Sequence, residues 1–144
     1  MKKLICVMAL VCIGILLVSC GSNHLGDPKA QFIRDFGLNI DKKDCVLEEL
    51  FNSYEGFPYE GIALYKLTVG EDVRQAFLQW ERFPLSEEAE HFLESLSTYV
   101  ELPSIADGCW KMVDRNPGTS AYTNVSMCVY DGTTGIAYLL TMDI

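Results

Sequence analysis

Histidine is almost missing from this chain: His24 and His91 are the only two in 144 residues. Imidazole is the usual side chain for proton transfer near neutral pH, so a hydrolytic triad has little here to be anchored on. Serines are plentiful, but none sits in a Gly-x-Ser-x-Gly elbow, and no glycine-rich phosphate loop occurs. Closely spaced Cys-x-x-Cys pairs are lacking too, which argues against a metal centre. Basic residues are scarce, 11 against 20 acids. Such a balance repels nucleic acid and anionic lipid. No cofactor, metal or nucleic-acid partner is expected from these absences. The longest apolar run, Leu4 to Val18, falls short of the ~20 residues a membrane-spanning helix needs.

That short run has the three parts of an export signal: Lys2 and Lys3 at its start, the apolar core, and the small Ser19 before Cys20. Leu17-Val18-Ser19-Cys20 resembles the lipobox of bacterial lipoproteins. The resemblance implies that Cys20 takes a diacylglyceryl group on its thiol and becomes the N-terminus after cleavage. Two or three acyl chains hold a protein stably, because each buried methylene contributes about 0.8 kcal/mol. The expected organisation is a signal peptide over residues 1–19, a lipidated N-terminus with a flexible spacer over 20–27, and a single domain over 28–144. The expected location is the outer face of the cell membrane, or the outer membrane where a cell has two, since Gly21 is not the aspartate of inner-membrane retention.

Cleavage would remove Lys2 and Lys3 and no acid, leaving 9 basic and 20 acidic residues and a net charge of −11. This charge serves solubility at a crowded membrane surface, and it would also draw a cationic protein partner. Of six cysteines, Cys6 and Cys12 leave with the signal and Cys20 carries lipid, so Cys45, Cys109 and Cys128 stay in the domain. Cys109 and Cys128 lie symmetrically about Asn116-Pro117-Gly118-Thr119-Ser120. A hairpin centred there sets the two cysteines opposite each other, in reach of a disulfide, with Trp110 facing Met127 and Met112 facing Val125.

Along the domain, Asp27-Pro28 starts a helix whose Ala30, Phe32, Ile33 and Phe36 share a face up to Gly37. Cys45 to Tyr54 fits a helical face or a strand. Gly61 to Val69 alternates as a strand covered on both faces. Glu71 and Asp72 open a helix with Val73, Ala76, Phe77 and Trp80 on one stripe. After Phe83-Pro84-Leu85, Ser86 caps a helix that turns Ala89, Phe92, Leu93 and Leu96 to the core. The last forty residues read as strands around Cys109–Val113, Tyr122–Tyr130 and Ile136–Met142, with Asp131 to Gly135 as a hairpin turn. The fold expected is α+β: an antiparallel sheet of about four to five strands with two to three helices packed on one face.

Two constellations stand out. On the helix after Ser86, Glu87, His91 and Glu94 share a face, which is either a metal triplet or a solvated acidic surface; the second is favoured. In Tyr54-Glu55-Gly56-Phe57-Pro58-Tyr59-Glu60-Gly61, Tyr-Glu-Gly occurs twice. Tyr54, Phe57 and Tyr59 offer rigid contact surfaces and Glu55 and Glu60 offer acceptors, a composition suited to gripping a partner. The alternative is a wide hairpin turn whose aromatics cap the core.

The glycine-aromatic loop ending at Gly61, Trp80 followed by Phe83-Pro84-Leu85, Gly108-Cys109-Trp110 with Asp114-Arg115, and Asn124 through Tyr130-Asp131 to Tyr138 and Asp143 occur in an order that resembles small exported proteins of Gram-positive bacteria. The resemblance covers most of residues 50 to 144 and implies a strand on each side of the loop, which tips Cys45–Asn52 toward strand. The group's loop is histidine-rich, whereas Tyr54 and Pro58 stand in that region here, which puts any metal or acid–base role of the loop in doubt. The expected function is a non-enzymatic, lipid-anchored envelope protein that binds a partner through Tyr54–Gly61. Rival expectations are an inhibitor or immunity-type lipoprotein acting on a cationic enzyme such as a lysozyme, and a small hydrolase or metal binder.

Overall fold

A computed structural model describes residues 27–41, 44–54, 60–118 and 122–144. Six strands, β1 (Val46–Asn52), β2 (Gly61–Thr68), β3 (Glu81–Arg82), β4 (Gly108–Asp114), β5 (Asn124–Asp131) and β6 (Ile136–Asp143), form one antiparallel sheet in the order β1-β2-β6-β5-β4-β3. Among the described residues three helices accompany it: α1 (Pro28–Gln31, continued by a π-helical turn Phe32–Phe36), α2 (Glu71–Phe77) and α3 (Glu87–Leu96). The α+β class and the antiparallel sheet are as expected, with more strands than the four to five anticipated. The extra strand is β3, two residues long, which pairs Glu81 with Trp110 and Arg82 with Cys109 at the sheet's edge. So short a segment has no period to announce it.

The helices do not share one face of the sheet, and the reason lies in the strands. Val125 to Tyr130 are all buried, as are Ile62 to Tyr65 and Leu139 to Met142. Strands apolar on both sides require cover on both sides. One core joins Phe32, Phe36 and Phe77 to Ala63, Tyr65, Leu67, Cys128, Tyr130, Ala137 and Leu139. The other joins Ala89, Phe92 and Leu96 to Ile62, Leu64, Trp110, Val125, Met127, Val129, Leu140 and Met142. Thus α1 and α2 lie on one face and α3 on the other.

Local chemistry explains the helix ends. The Asp27 carboxylate accepts from the Lys29 amide at 3.0 Å, and Pro28 occupies the first turn, where its missing N–H costs nothing. Gly37, at φ +70°, terminates the π turn while the Leu38 amide donates back to the Phe32 carbonyl at 3.2 Å. The wider turn buries Phe32 and Phe36 but leaves Ile33 exposed, against its expected core position. Ser86 caps α3 by accepting from the Ala89 amide at 3.2 Å.

Strand β1 resolves the ambiguity of residues 45–54. Leu47 pairs with Leu67, Phe51 pairs with Leu64, and a bulge at Leu50 interrupts the register. In an unbroken strand, residues four apart share a face. The bulge flips that parity, so Leu47 packs against the α1/α2 core and Phe51 against the α3 core. A bulged strand feeding two cores spaces its apolar residues much as a helix does.

The β4–β5 hairpin is two residues out of the expected register. Pairing continues past Asp114, with the Arg115 amide donating to the Asn124 carbonyl at 2.8 Å and Asn116 Nδ2 donating to Thr123 Oγ1 at 3.1 Å. Cys109 therefore faces Tyr130 and Cys128 faces Lys111, while Trp110 faces Val129 and Met112 faces Met127. Cys109 and Cys128 are free thiols set diagonally rather than opposite, and Cys45 is free as well. Burial pushes the Cys128 thiol well above its usual pKa, so it behaves as a small apolar group.

Candidate functional site

Where the α1/α2 face meets the end of the sheet, β5 and β6 bring Ser126 and Thr141 side by side, and β6 ends at Asp143. Arg115, just beyond β4, reaches into the same corner. Its guanidinium donates to Asp35 Oδ2 at 2.8 Å and also to Ser126 Oγ and Asp143 Oδ1. Asp35 belongs to the π turn, and its side chain is only 3 % exposed. The Ser126 hydroxyl donates to Asp35 Oδ2 at 2.6 Å while accepting from Gln31 Nε2 at 2.8 Å and from Arg115, so its hydrogen-bonding capacity is fully used. Arg34 Nε donates to the other Asp35 oxygen at 2.8 Å. Two carboxylates and two guanidiniums thus make a neutral set, the condition under which buried charge is tolerated.

Tyr54 joins this set to the glycine-aromatic loop. Its phenol donates to Asp143 Oδ2 at 2.8 Å and lies 3.2 Å from Thr141 Oγ1. Burial pushes the Tyr54 phenol well above its usual pKa, and the Asp143 carboxylate adds to this, so the proton remains on Tyr54 and points at Asp143. For Asp35, burial works to raise the pKa. Hydrogen bonds from Arg34 and Ser126, with the positive charges of Arg115 and Arg34, outweigh it and hold the carboxyl below its usual value of 3.8.

The loop is pinned at both ends. The Ser53 amide donates to the Ile62 carbonyl at 2.9 Å, and the Ile62 amide donates to Ser53 Oγ at 2.9 Å. Gly61 abuts the backbone of Tyr54, where an added Cβ would sit 2.7 Å from the Tyr54 Cα. Gly61→Ala is accordingly expected to cost about 1–3 kcal/mol in urea denaturation. It should also weaken the Tyr54–Asp143 bond, read as a fall in the apparent phenol pKa by ultraviolet titration. An unchanged midpoint and titration would refute this close approach.

Of the expected site residues, Tyr54 is an internal anchor rather than a free contact surface, and Glu60 is exposed at the loop's far end. Glu55, Phe57 and Tyr59 lie outside the described residues, as does Cys20. Glu87, His91 and Glu94 are exposed on α3, and among the described residues no group of three His, Cys, Asp or Glu side chains is placed to hold a metal ion. Sequence reasoning reached Arg115 and Asp143 only through a resemblance and missed Asp35, Ser126, Gln31 and Thr141. The one available signal was Asp35 between Phe32, Ile33 and Phe36, a polar residue beside a core-facing stripe. No protein-family model matches the chain, and no curated protein or solved structure matches it.

Proposed function

We propose that the protein is a lipid-anchored component of the cell envelope, held by Cys20 to the outer face of the cell membrane, or to the outer membrane where there are two, whose acidic domain is a non-enzymatic binding module. The Tyr54–Gly61 segment is its contact loop. The observation that carries this reading is the closed base of the loop: Tyr54 is tied through Asp143 to Arg115 and Asp35, while Ser53 and Ile62 clasp its ends. A segment whose ends are tied loses less conformational freedom on binding than a free one. The polar groups around Tyr54 are engaged with one another, which favours support over chemistry. Among the described residues no helix is long and apolar enough to cross a membrane.

Two measurements test the proposal. Cys20→Ser is expected to move nearly all of the protein from the membrane fraction to the soluble fraction; retention in the membrane would refute the anchor. A photoreactive phenylalanine analogue at position 57 should give one discrete crosslinked product in intact cells, and the same probe at exposed Thr133, in the β5–β6 turn, should not. Equal labelling from both positions would remove the loop as the contact.

The crowding of Glu87, Glu88, Glu90 and Glu94 on α3, without a basic residue in its last turn, supports a second reading as an inhibitor or immunity-type lipoprotein against a cationic enzyme such as a lysozyme. Its association rate would fall steeply with ionic strength, whereas contact through the aromatic loop would be nearly indifferent to salt.

A further inference from the structure

On the face of the sheet away from Tyr54 and Arg115, the end of α3 and the segment running from Ser97 to Ile105 leave a groove of about 480 Å³. Val129 of β5 lies in its floor, and Phe83, Leu85, Leu93, Leu102 and Ile105 are among its walls. The volume falls within the ~300–1,000 Å³ typical of small-molecule sites. Among the described residues two carboxylates, Glu94 and Glu101, are the only charged groups in the lining. Both residues are exposed, and neither carboxylate has a hydrogen-bonding or ion-pairing partner among the described residues. An apolar trough flanked by unpaired anions is complementary to a molecule that is apolar along its length and cationic at its head.

We propose that this groove binds a single-chain cationic amphiphile, an alkyl chain bearing an ammonium group, with the chain along Phe83, Leu93, Leu102 and Val129 and the head between Glu94 and Glu101. The apolar wall supplies the affinity by removing the chain from water, and the carboxylates supply the selectivity for charge. This site is separate from the contact loop, and neither stands or falls with the other.

The probe is dodecyltrimethylammonium below its micelle concentration, titrated calorimetrically into the full chain carrying Cys20→Ser, with dodecyl sulfate and a neutral-headed dodecyl glycoside alongside. Saturable one-site binding is expected for the cation, with the neutral compound about tenfold weaker and the sulfate weaker still. Each exposed ion pair accounts for about threefold. Glu94→Gln with Glu101→Gln, a surface change that leaves the fold intact, should bring the cation down to the neutral compound's affinity. Leu102→Trp, checked for an unchanged urea midpoint, should abolish binding by filling the groove.

Equal affinity for all three heads would overturn the proposal, as would indifference to the Glu→Gln pair or binding that survives Leu102→Trp. A basic amphipathic peptide that excludes the amphiphile at lower concentration would assign the groove to a protein partner instead. Self-association lost in Leu102→Trp, read by sedimentation, would assign it to a second copy of the chain.

Discussion

Arg115→Met is expected to destabilise the protein by about 3–5 kcal/mol, because it takes from Asp35 one of its two guanidinium partners in a nearly closed corner, the one that also holds Ser126 and Asp143. Against the ~5–15 kcal/mol that holds an ordinary domain together, this is enough to leave a large fraction unfolded at body temperature. Urea denaturation followed by far-ultraviolet circular dichroism gives the number; a loss below about 1 kcal/mol would show that Arg115 is a surface ornament. Adding Asp35→Asn to Arg115→Met should recover part of the loss, since the same interaction is removed from both sides, and a double-mutant cycle reads the coupling directly. The pH dependence has a fixed sign. Asp35 titrates below its usual 3.8 in the folded protein, so its stabilising contribution is present above that value and is lost as the pH falls through the lower, folded value. In Arg115→Met, protonating Asp35 removes the charge left with Arg34 alone, and the gap between the two proteins should narrow below pH ~4. A gap that widens on acidification would contradict the assignment.

Phe77→Ala should cost about 3–5 kcal/mol for a different reason, the opening of a cavity in a closed aromatic cluster. Phe77 is fully buried, stacks on Tyr130 with ring centroids 5.0 Å apart, and meets the Trp80 ring edge-on at 4.7 Å. Trp80 in turn packs on Phe36 at 5.4 Å, so Phe77 and Trp80 together join the α2 region to both the π turn and β5. Such pairs add about 0.5–1.5 kcal/mol beyond the area they bury. Near-ultraviolet circular dichroism of Trp80 and Tyr130 should flatten even under conditions where the variant remains folded. A variant with the wild-type near-ultraviolet spectrum and a loss under 1 kcal/mol would place the cluster's weight elsewhere.

Both predictions rest on groups of unequal visibility in the sequence. The Ser86 cap, the Asp131–Gly135 turn and the apolar stripe of α3 are local patterns that stand where expected, and the stripe of α2 does so through Phe77, Trp80 lying just past the helix end but still packed on the same core. The second core was legible in principle, since Val125-Ser126-Met127-Cys128-Val129-Tyr130 has no polar face. Its one polar side chain, Ser126, is at home inside because its hydroxyl is satisfied by Gln31, Arg115 and Asp35. The hairpin register turned on whether Arg115 and Asn116 belong to the strand or to the turn, which composition does not decide. The Asp35–Arg115–Asp143–Tyr54 corner gathers residues up to 108 positions apart, and no local period or spacing encodes such a meeting.

The bulge in β1 has a further consequence, for how molecules behave when many are gathered on one surface. As an outermost strand, β1 offers open backbone groups, and beside them Val46 is 62 % and Leu50 46 % exposed. A flat strand of this kind is a template on which a neighbouring copy can extend the sheet, and the proposed anchor would confine copies to two dimensions, where encounters multiply. The break at Leu50 twists the edge out of line, and Glu49, beside the Glu48 that Lys66 pairs, sets a like charge against any identical edge that approaches. The same irregularity that divides Leu47 and Phe51 between two cores therefore also guards against fibrous growth between neighbours.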